Sequence, residues 1–236
     1  MSIAAQPEIG DYQHFNRFFT RALKPGVRPL GGDADTIICP VDGRVSQIGR
    51  IQCGEIFQAK NRTYDLETLL GGDRESVTAF TDGRFATLYL SPRDYHRVHI
   101  PLDGTLSKMT YVPGRLFAVN THTTRVINKL FARNERVISI FDTALGPMAM
   151  ILIGALNVGR METVWAGAVT PAGNREISTV DYTGRDIVLN RGQEMGRFNM
   201  GSTVILLFAK DRMQWLPRPG PEDQVTMGMA LGKKTG

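Results

Sequence analysis

The residues most able to carry chemistry include a serine that follows a glycine at the head of an apolar run. Gly201, Ser202 and Thr203 are followed by Val-Ile-Leu-Leu-Phe, a composition that favours a stiff strand. A glycine before the serine leaves its carbonyl open to attack and tolerates a strained backbone. The run therefore indicates that the serine hydroxyl acts on its own peptide bond, although Gly-Ser-Thr alone more often marks a turn into a strand.

Two histidines three residues apart form a second candidate group. His96 and His99 would point to opposite faces of a continuous strand. Residues 91–94 (Ser-Pro-Arg-Asp) predict a capped helical turn before that strand, which would let both imidazoles face one cleft. Such a pair suits proton transfer near neutral pH. It could also bind a metal, but no cysteine lies near it, and we expect no metal site.

Asp42 is followed by a glycine, as are Asp82 and Asp103. An Asp-Gly pair is a common turn signal, because the aspartate side chain caps the turn and tolerates unusual backbone angles. From the residues alone, Asp42 is therefore either a turn residue or a catalytic carboxylate.

Taken together and in this order, these segments closely resemble the phosphatidylserine decarboxylases. The resemblance rests on the Gly-Ser-Thr run, on Pro40-Val41-Asp42-Gly43-Arg44-Val45 and on Tyr95-His96-Arg97-Val98-His99-Ile100-Pro101-Leu102-Asp103-Gly104. It extends to residues 15–21, 91–94, 130–137 and 162–167 and covers roughly residues 12–208. The chain is most similar to the bacterial type with a Leu-Gly-Ser-Thr processing site. Met200 stands at the leucine position, an apolar exchange of similar volume.

The resemblance implies that the chain cleaves itself between Gly201 and Ser202. Asp42, His99 and Ser202 would act as an Asp-His-Ser arrangement, in which Ser202 Oγ attacks the Gly201 carbonyl. The resulting ester would eliminate to dehydroalanine, and hydrolysis would leave a covalent pyruvoyl group at position 202. The products would be residues 1–201 (the β subunit) and residues 202–236 (the α subunit), which stay associated.

The resemblance also implies the reaction and the partners. The pyruvoyl cofactor would form a Schiff base with phosphatidylserine and accept electrons as CO2 leaves, giving phosphatidylethanolamine. His96 would reprotonate the product carbanion. The expected partners are phosphatidylserine, an anionic membrane surface and a second copy in a homodimer, and the expected location is peripheral, at the cytoplasmic face of the cell membrane. The bacterial family normally carries further membrane-associating helices ahead of residue 15, so we expect weak attachment here.

Two other functions remain open on the residues. A non-catalytic lipid-binding β module would fit the short strands and Asp-Gly turns equally well, and it predicts one intact chain. A pyruvoyl-dependent decarboxylase of a soluble amino acid is the other alternative, because the catalytic residues do not disclose the head group of the substrate.

Composition supports a lipid-facing partner more than a nucleic acid. The 236 residues suffice for one sizeable core, with 42% hydrophobic residues and a formal charge of +5. That charge favours an anionic partner, whereas Lys/Arg clusters with interleaved aromatics are absent from the sequence. No apolar run is long enough to span a bilayer, and the start lacks the features of a signal peptide. We therefore expect Cys39 and Cys53 to be reduced.

The pattern along the chain predicts an α+β fold. We expect one domain over residues 1–236, with a mainly antiparallel β-barrel or sandwich core and an N-terminal helix or helices packed at its edge. Residues 11–24 predict a helix capped by Asp11, whose apolar face either contacts a membrane or packs on the core. A second, short helix is predicted at 65–70. Strands are predicted at 37–39, 44–51, 85–90, 98–102, 137–141, 149–158, 163–169, 187–190 and 203–208.

Overall fold

The computed structural model describes residues 3–6, 8–156, 160–169, 176–199 and 202–235, and of Ser202 it describes the backbone alone. Within these ranges the chain is mainly antiparallel β structure with a few short helices, which confirms the predicted α+β class. The sheets are open and form a sandwich rather than a closed barrel.

The strands, in chain order, are β1 (Thr36–Ile38), β2 (Gly43–Arg50), β3 (Glu55–Ala59), β4 (Arg62–Asp65), β5 (Arg84–Leu90), β6 (Arg97–His99), β7 (Gly104–Val112), β8 (Arg136–Thr143), β9 (Gly146–Ile153), β10 (Met161–Thr163), β11 (Gly167–Ala168), β12 (Ser178–Asp181), β13 (Val188–Leu189), β14 (Glu194–Phe198), β15 (Ser202–Phe208), β16 (Met213–Trp215), β17 (Gln224–Val225) and β18 (Ala230–Lys234). The helices are a 3-10 helix (Ile9–Asp11), α1 (Phe15–Phe19), α2 (Leu66–Leu69), α3 (Arg74–Phe80), α4 (Thr121–Val126) and α5 (Leu130–Arg133).

A large antiparallel sheet holds the core. Over the described residues its strand order is β12-β7-β8-β9-β15-β5-β2-β17, with β13 also paired to β7. β15 lies between β9 and β5, which confirms that the strand after the Gly-Ser bond is internal. Residues 204–207 are fully buried. A continuous apolar run without alternation is what a strand buried on both faces requires.

Three smaller sheets complete the described β structure, with the orders β1-β18-β16, β11-β10-β14-β6 and β3-β4. The sheet that contains β6 matters for the site, because β6 carries His99. The backbone N–H of His99 donates to the carbonyl of Pro40 at 2.9 Å. This bond places the loop that carries Asp42 beside β6.

The N-terminal helix is shorter than the predicted 11–24. The α-helix covers only Phe15–Phe19, and His14 rather than Asp11 caps it, since His14 Nδ1 accepts from the N–H of Arg17 at 3.4 Å. Beyond the helix, residues 22 and 24 pair with the chain start through Ala5 N to Ala22 O and Lys24 N to Ile3 O. These tertiary backbone bonds override the helical pattern of the sequence.

The aromatic face of α1 is divided between the core and solvent. Phe19 is 3% exposed, whereas Phe15 is 61% exposed. Packing on the core is therefore confirmed for Phe19, whereas contact of this helix with a membrane stays a prediction.

Several other elements differ from the sequence prediction. The nine-residue strand β7 was missed, because Thr105, Ser107 and Lys108 make its first half polar and similar to a loop after the Asp-Gly turn. The predicted strand 163–169 is divided into β10 and β11, which pair as a hairpin. The predicted helix at 65–70 is confirmed as α2, capped by Asp65. The predicted strand 149–158 corresponds to β9, and residues 157–158 lie outside the described part of the chain.

Within the described ranges, every helix is too short or too polar to cross a lipid bilayer.

The buried central strand generates a stability prediction. Leu206→Ala removes a fully buried side chain from β15 and leaves a cavity, so we expect the free energy of unfolding to fall by about 3 kcal/mol. Denaturant unfolding of chains that also carry Ser202→Ala would measure this on a single polypeptide. Val188→Ala, on the edge strand β13 with its side chain 57% exposed, is the control and should change stability by less than about 0.5 kcal/mol. Equal effects of the two substitutions would contradict the central position of β15.

Candidate active site

The start of β15 is the centre of the candidate site. Its first residue, Ser202, pairs with Leu90 at the end of β5. Gly201 and the side chain of Ser202 lie outside the described residues, so the backbone of Ser202 alone locates the predicted cleavage site. The chain that follows Leu90 leaves the sheet at this point, and it carries both histidines of the predicted site.

Residues 91–94 form a hydrogen-bonded turn rather than the predicted helical turn. The N–H of Ser91 donates to Asp94 Oδ2 at 2.7 Å, and the N–H of Asp94 donates to the Ser91 carbonyl at 2.9 Å. A helix does not continue, because β6 begins at Arg97 and pairs with β14. The turn therefore delivers Tyr95 and His96 directly before a strand.

His96 is completely buried. Its Nδ1 donates to the Asp94 carbonyl at 2.8 Å, and its ring lies 3.9 Å from that of Phe19, centroid to centroid. Its Nε2 has no hydrogen-bond partner among the residues that the structure describes. Burial, the largest cause, lowers the pKa of His96 to about 4 and outweighs the opposing effects of Asp94, so the ring is neutral at pH 7 with a lone pair on Nε2.

His99 has both ring nitrogens engaged. Nδ1 lies 2.9 Å from the carbonyl oxygen of Gly192, and Nε2 lies 2.9 Å from the hydroxyl of Tyr95. A carbonyl only accepts, so Nδ1 carries the proton, and Nε2 of the neutral ring accepts from Tyr95. Burial is the main cause that lowers the pKa of His99. The ring is therefore a neutral base whose lone pair is on Nε2.

Asp42 lies beside this ring but faces another partner. Arg28 donates to its carboxylate through Nε at 2.9 Å and Nη2 at 2.5 Å, and the N–H of Met227 donates to Oδ1 at 2.9 Å. The fork of two parallel bonds is the strongest geometry for such a pair. Asp42 is close enough for its charge to favour the protonated form of His99. In a triad the His99 Nδ1–H would donate to this carboxylate, but here it donates to the Gly192 carbonyl instead.

The glycine after Asp42 is required by the packing of the loop. A Cβ at position 43 would lie 2.3 Å from the carbonyl oxygen of Tyr89, a contact that no side chain tolerates. The Asp-Gly pair is thus a turn signal and also the point where the loop approaches β5 closely.

Three residues of this arrangement were not identified from the sequence. Arg28 holds Asp42, Gly192 orients His99, and Tyr95 hydrogen-bonds to its basic nitrogen. Arg28 and Gly192 carry no local signal, because their partners are distant in sequence. Tyr95 stands in the same motif as the histidines, and its position four residues before His99 was the available clue.

A cavity of about 550 Å³ lies at this end of the sheet. Its lining includes Asp42 and the residues on either side of Leu90, the partner of Ser202. It also contains two arginines, Arg44 and Arg93. The cavity is large enough for a small polar group of a substrate and lies next to the start of β15.

Comparisons with known proteins show which family the sequence is similar to. The family model described as phosphatidylserine decarboxylase matches residues 15–233. A phosphatidylserine decarboxylase proenzyme of Shewanella baltica (strain OS155 / ATCC BAA-1091) is 56% identical over 235 residues, covering 98% of this chain and 80% of that protein. The proenzyme of Methylococcus capsulatus is 54% identical over 231 residues, with 98% and 80% covered, and that of Acidovorax ebreus 53% identical over 236 residues, with 100% and 83% covered.

These matches cover nearly all of the chain at high identity, and they confirm the resemblance that the motifs predicted. The chain belongs to the phosphatidylserine decarboxylase family.

Proposed function

We propose that this chain is a self-processing, pyruvoyl-dependent decarboxylase that converts phosphatidylserine to phosphatidylethanolamine and CO2. The observation that carries the proposal is the position of two neutral histidines, one buried and one half-buried, on the segment that leaves β5 opposite Ser202. The names of the relatives, which are proenzymes, support the self-processing part.

The self-cleavage step uses His99 as the general base. His99 Nε2 accepts from the Tyr95 hydroxyl in the structure, and once that hydroxyl moves aside its lone pair can take the proton of the Ser202 hydroxyl as the oxygen attacks the Gly201 carbonyl carbon. The Nδ1–H continues to donate to the Gly192 carbonyl and keeps the ring oriented. Asp42 stabilises the imidazolium by its charge, and a direct bond to the ring requires release from Arg28.

The residues around the start of β15 fit a covalent pyruvoyl group at position 202. A buried imidazole nitrogen that lacks a partner among the described residues, His96 Nε2, is available to a reacting group. The pyruvoyl ketone supplies the electron sink for loss of CO2.

His96 is the candidate for the protonation of the product. In the structure it is neutral, and its exchangeable proton is held by the Asp94 carbonyl. A substrate carboxylate beside Nε2 would raise its pKa, because an opposite charge favours the protonated form. The proton taken up in this way is then available to the carbon that loses CO2.

After cleavage the two pieces remain one domain. Residues 202–236 contain β15, which is hydrogen-bonded on both sides to strands of the other piece, β5 and β9. Separation would expose the fully buried residues 204–207 to water.

The first test is the intact mass of the freshly purified protein under denaturing conditions. We expect two species split between residues 201 and 202, with the smaller lighter by one ammonia than its serine-initiated form. Ser202→Ala should give one intact 26.1 kDa chain, because the hydroxyl that attacks is missing. A single intact species in both samples would instead favour the lipid-binding β module.

The second test separates the two histidines. We expect His99→Ala to slow self-cleavage by at least about 100-fold, because it removes the general base. His96→Ala should cleave normally but lose decarboxylation of phosphatidylserine by a similar factor, measured as CO2 release from dispersed lipid. His122→Ala, on the surface of α4, is the control and should change neither the rate of self-cleavage nor the rate of decarboxylation. A His96→Ala chain that stays uncleaved contradicts this division, and turnover of free serine at equal rate contradicts the lipid substrate.

A membrane contact is proposed at the N-terminal edge of the fold, at the cytoplasmic face of the membrane. Ile9 and Phe15 are 70% and 61% exposed. Beside them, Arg17 and Arg21 line a cavity of about 530 Å³ together with Arg97 and Arg197. Exposed apolar side chains next to cations suit an anionic lipid surface.

This contact predicts weak, salt-sensitive binding to anionic vesicles. We expect cosedimentation with phosphatidylcholine vesicles that contain phosphatidylglycerol, and much less with phosphatidylcholine alone. Raising the salt from about 0.1 M to about 1 M shortens the Debye length from about 10 Å to about 3 Å. The stronger screening should release the protein. The double variant Arg17→Gln, Arg21→Gln should weaken binding more than the control double variant Arg50→Gln, Arg185→Gln. Both variants remove two positive charges. Equal loss in both pairs would contradict a localised contact.

A further inference from the structure

Tyr95 is the one described side chain that contacts the basic nitrogen of His99. Its hydroxyl oxygen lies 2.9 Å from Nε2, and the two rings are stacked with centroids 5.7 Å apart and planes at 28°. Tyr95 is 5% exposed, and its burial raises the pKa of its hydroxyl, so the group stays protonated and donates. The lone pair of His99 is therefore oriented by a donor that the Asp-His-Ser scheme does not contain.

We propose that Tyr95 is a positioning residue for self-cleavage: until the Ser202 hydroxyl takes its place on Nε2, the Tyr95 hydroxyl, with the Gly192 carbonyl on the other nitrogen, holds His99 in the tautomer whose lone pair is on Nε2. The inference rests on the proposed role of His99 as the base. The Tyr95 hydroxyl adds a second hydrogen bond to the imidazole ring, so that rotation of the ring about χ2 is restricted at both nitrogens. Stacking of the tyrosine ring limits tilting of the imidazole out of its own plane.

The hydroxyl also stabilises the unprotonated ring, because a donor to Nε2 bonds only to the neutral form. The charged groups that face His99 act in both directions: Glu194 and Asp42 favour protonation, whereas Arg97 opposes it. Glu194 is itself paired with Arg97 at 2.8 Å, and Asp42 with Arg28, so the carboxylates are largely neutralised. Tyr95 and burial therefore keep the base unprotonated at neutral pH.

The test is nuclear magnetic resonance of the four histidines in the full chain carrying Ser202→Ala, which stays in one piece. The ring nitrogen shifts should show His99 with its proton on Nδ1 and a pKa below the ordinary value. Tyr95→Phe keeps the stacked ring and removes the hydroxyl, so the pKa of His99 should rise by about half to one unit, the effect of one lost neutral hydrogen bond. Tyr182→Phe, which removes the hydroxyl of another buried tyrosine, is the matched control and should leave the titration unchanged.

A proton on Nε2 of His99 in the parent, or a pKa within about 0.2 unit of the parent in Tyr95→Phe, overturns the proposal. If Tyr95→Phe does not fold, the carbon resonance of the Tyr95 ring carbon that carries the hydroxyl decides in the parent: it should change as His99 titrates, and an unchanged resonance overturns the proposal.

Self-cleavage supplies a second readout. In the chain that retains Ser202, Tyr95→Phe should move the acid limb of the profile of cleavage rate against pH by the same half to one unit to higher pH. The rate should recover at alkaline pH. Loss of cleavage that alkaline pH does not restore would place Tyr95 in proton transfer itself and overturn a positioning role. Failure of the unsubstituted chain to cleave would refute the proposed function, whereas the resonance experiment would still decide the arrangement of Tyr95.

Discussion

The structure depends on the burial of β15 between β5 and β9. This strand is apolar on both faces, and its hydrogen bonds on both sides set the register in which Ser202 meets Leu90. A shift of one residue would turn its side chains to the opposite faces of the sheet and separate the predicted cleavage site from the histidine segment. The interaction that stabilises the core therefore also determines where the candidate chemistry is located.

Exclusion of water is the second consequence of this packing. His96 lies under Phe19, and His99 lies among Tyr95, Gly192 and the loop of Asp42, so both rings lose solvent and are neutral. A neutral imidazole can take a proton, which is what the attack of a serine hydroxyl requires. The N-terminal segment contributes to this through one aromatic side chain, while its neighbours remain exposed.

Much of the fold could be predicted from the sequence. The α+β class, the internal strand after the Gly-Ser bond, the short helix α2 and the family were predicted correctly, because buried strands, caps and motifs are local patterns. The helix at 11–24 was too long, since residues 22 and 24 bond to the chain start. The strand β7 was missed, since its first half is polar and is held in the sheet by long-range pairing with β8 and β13. The sequence named Asp42, His96, His99 and Ser202 as candidates, but it did not identify their partners Arg28, Gly192 and Tyr95.

The sequence by itself determined the family and the residue types that the proposed chemistry uses, because the motifs that carry both are local patterns. Only the tertiary structure decided which partner each side chain has. Gly192 orients His99 from 93 residues away in the chain, and Arg28 holds the carboxylate expected there. Such pairings arise when distant segments pack together and buried polar groups must find a hydrogen bond, a condition that no local pattern records.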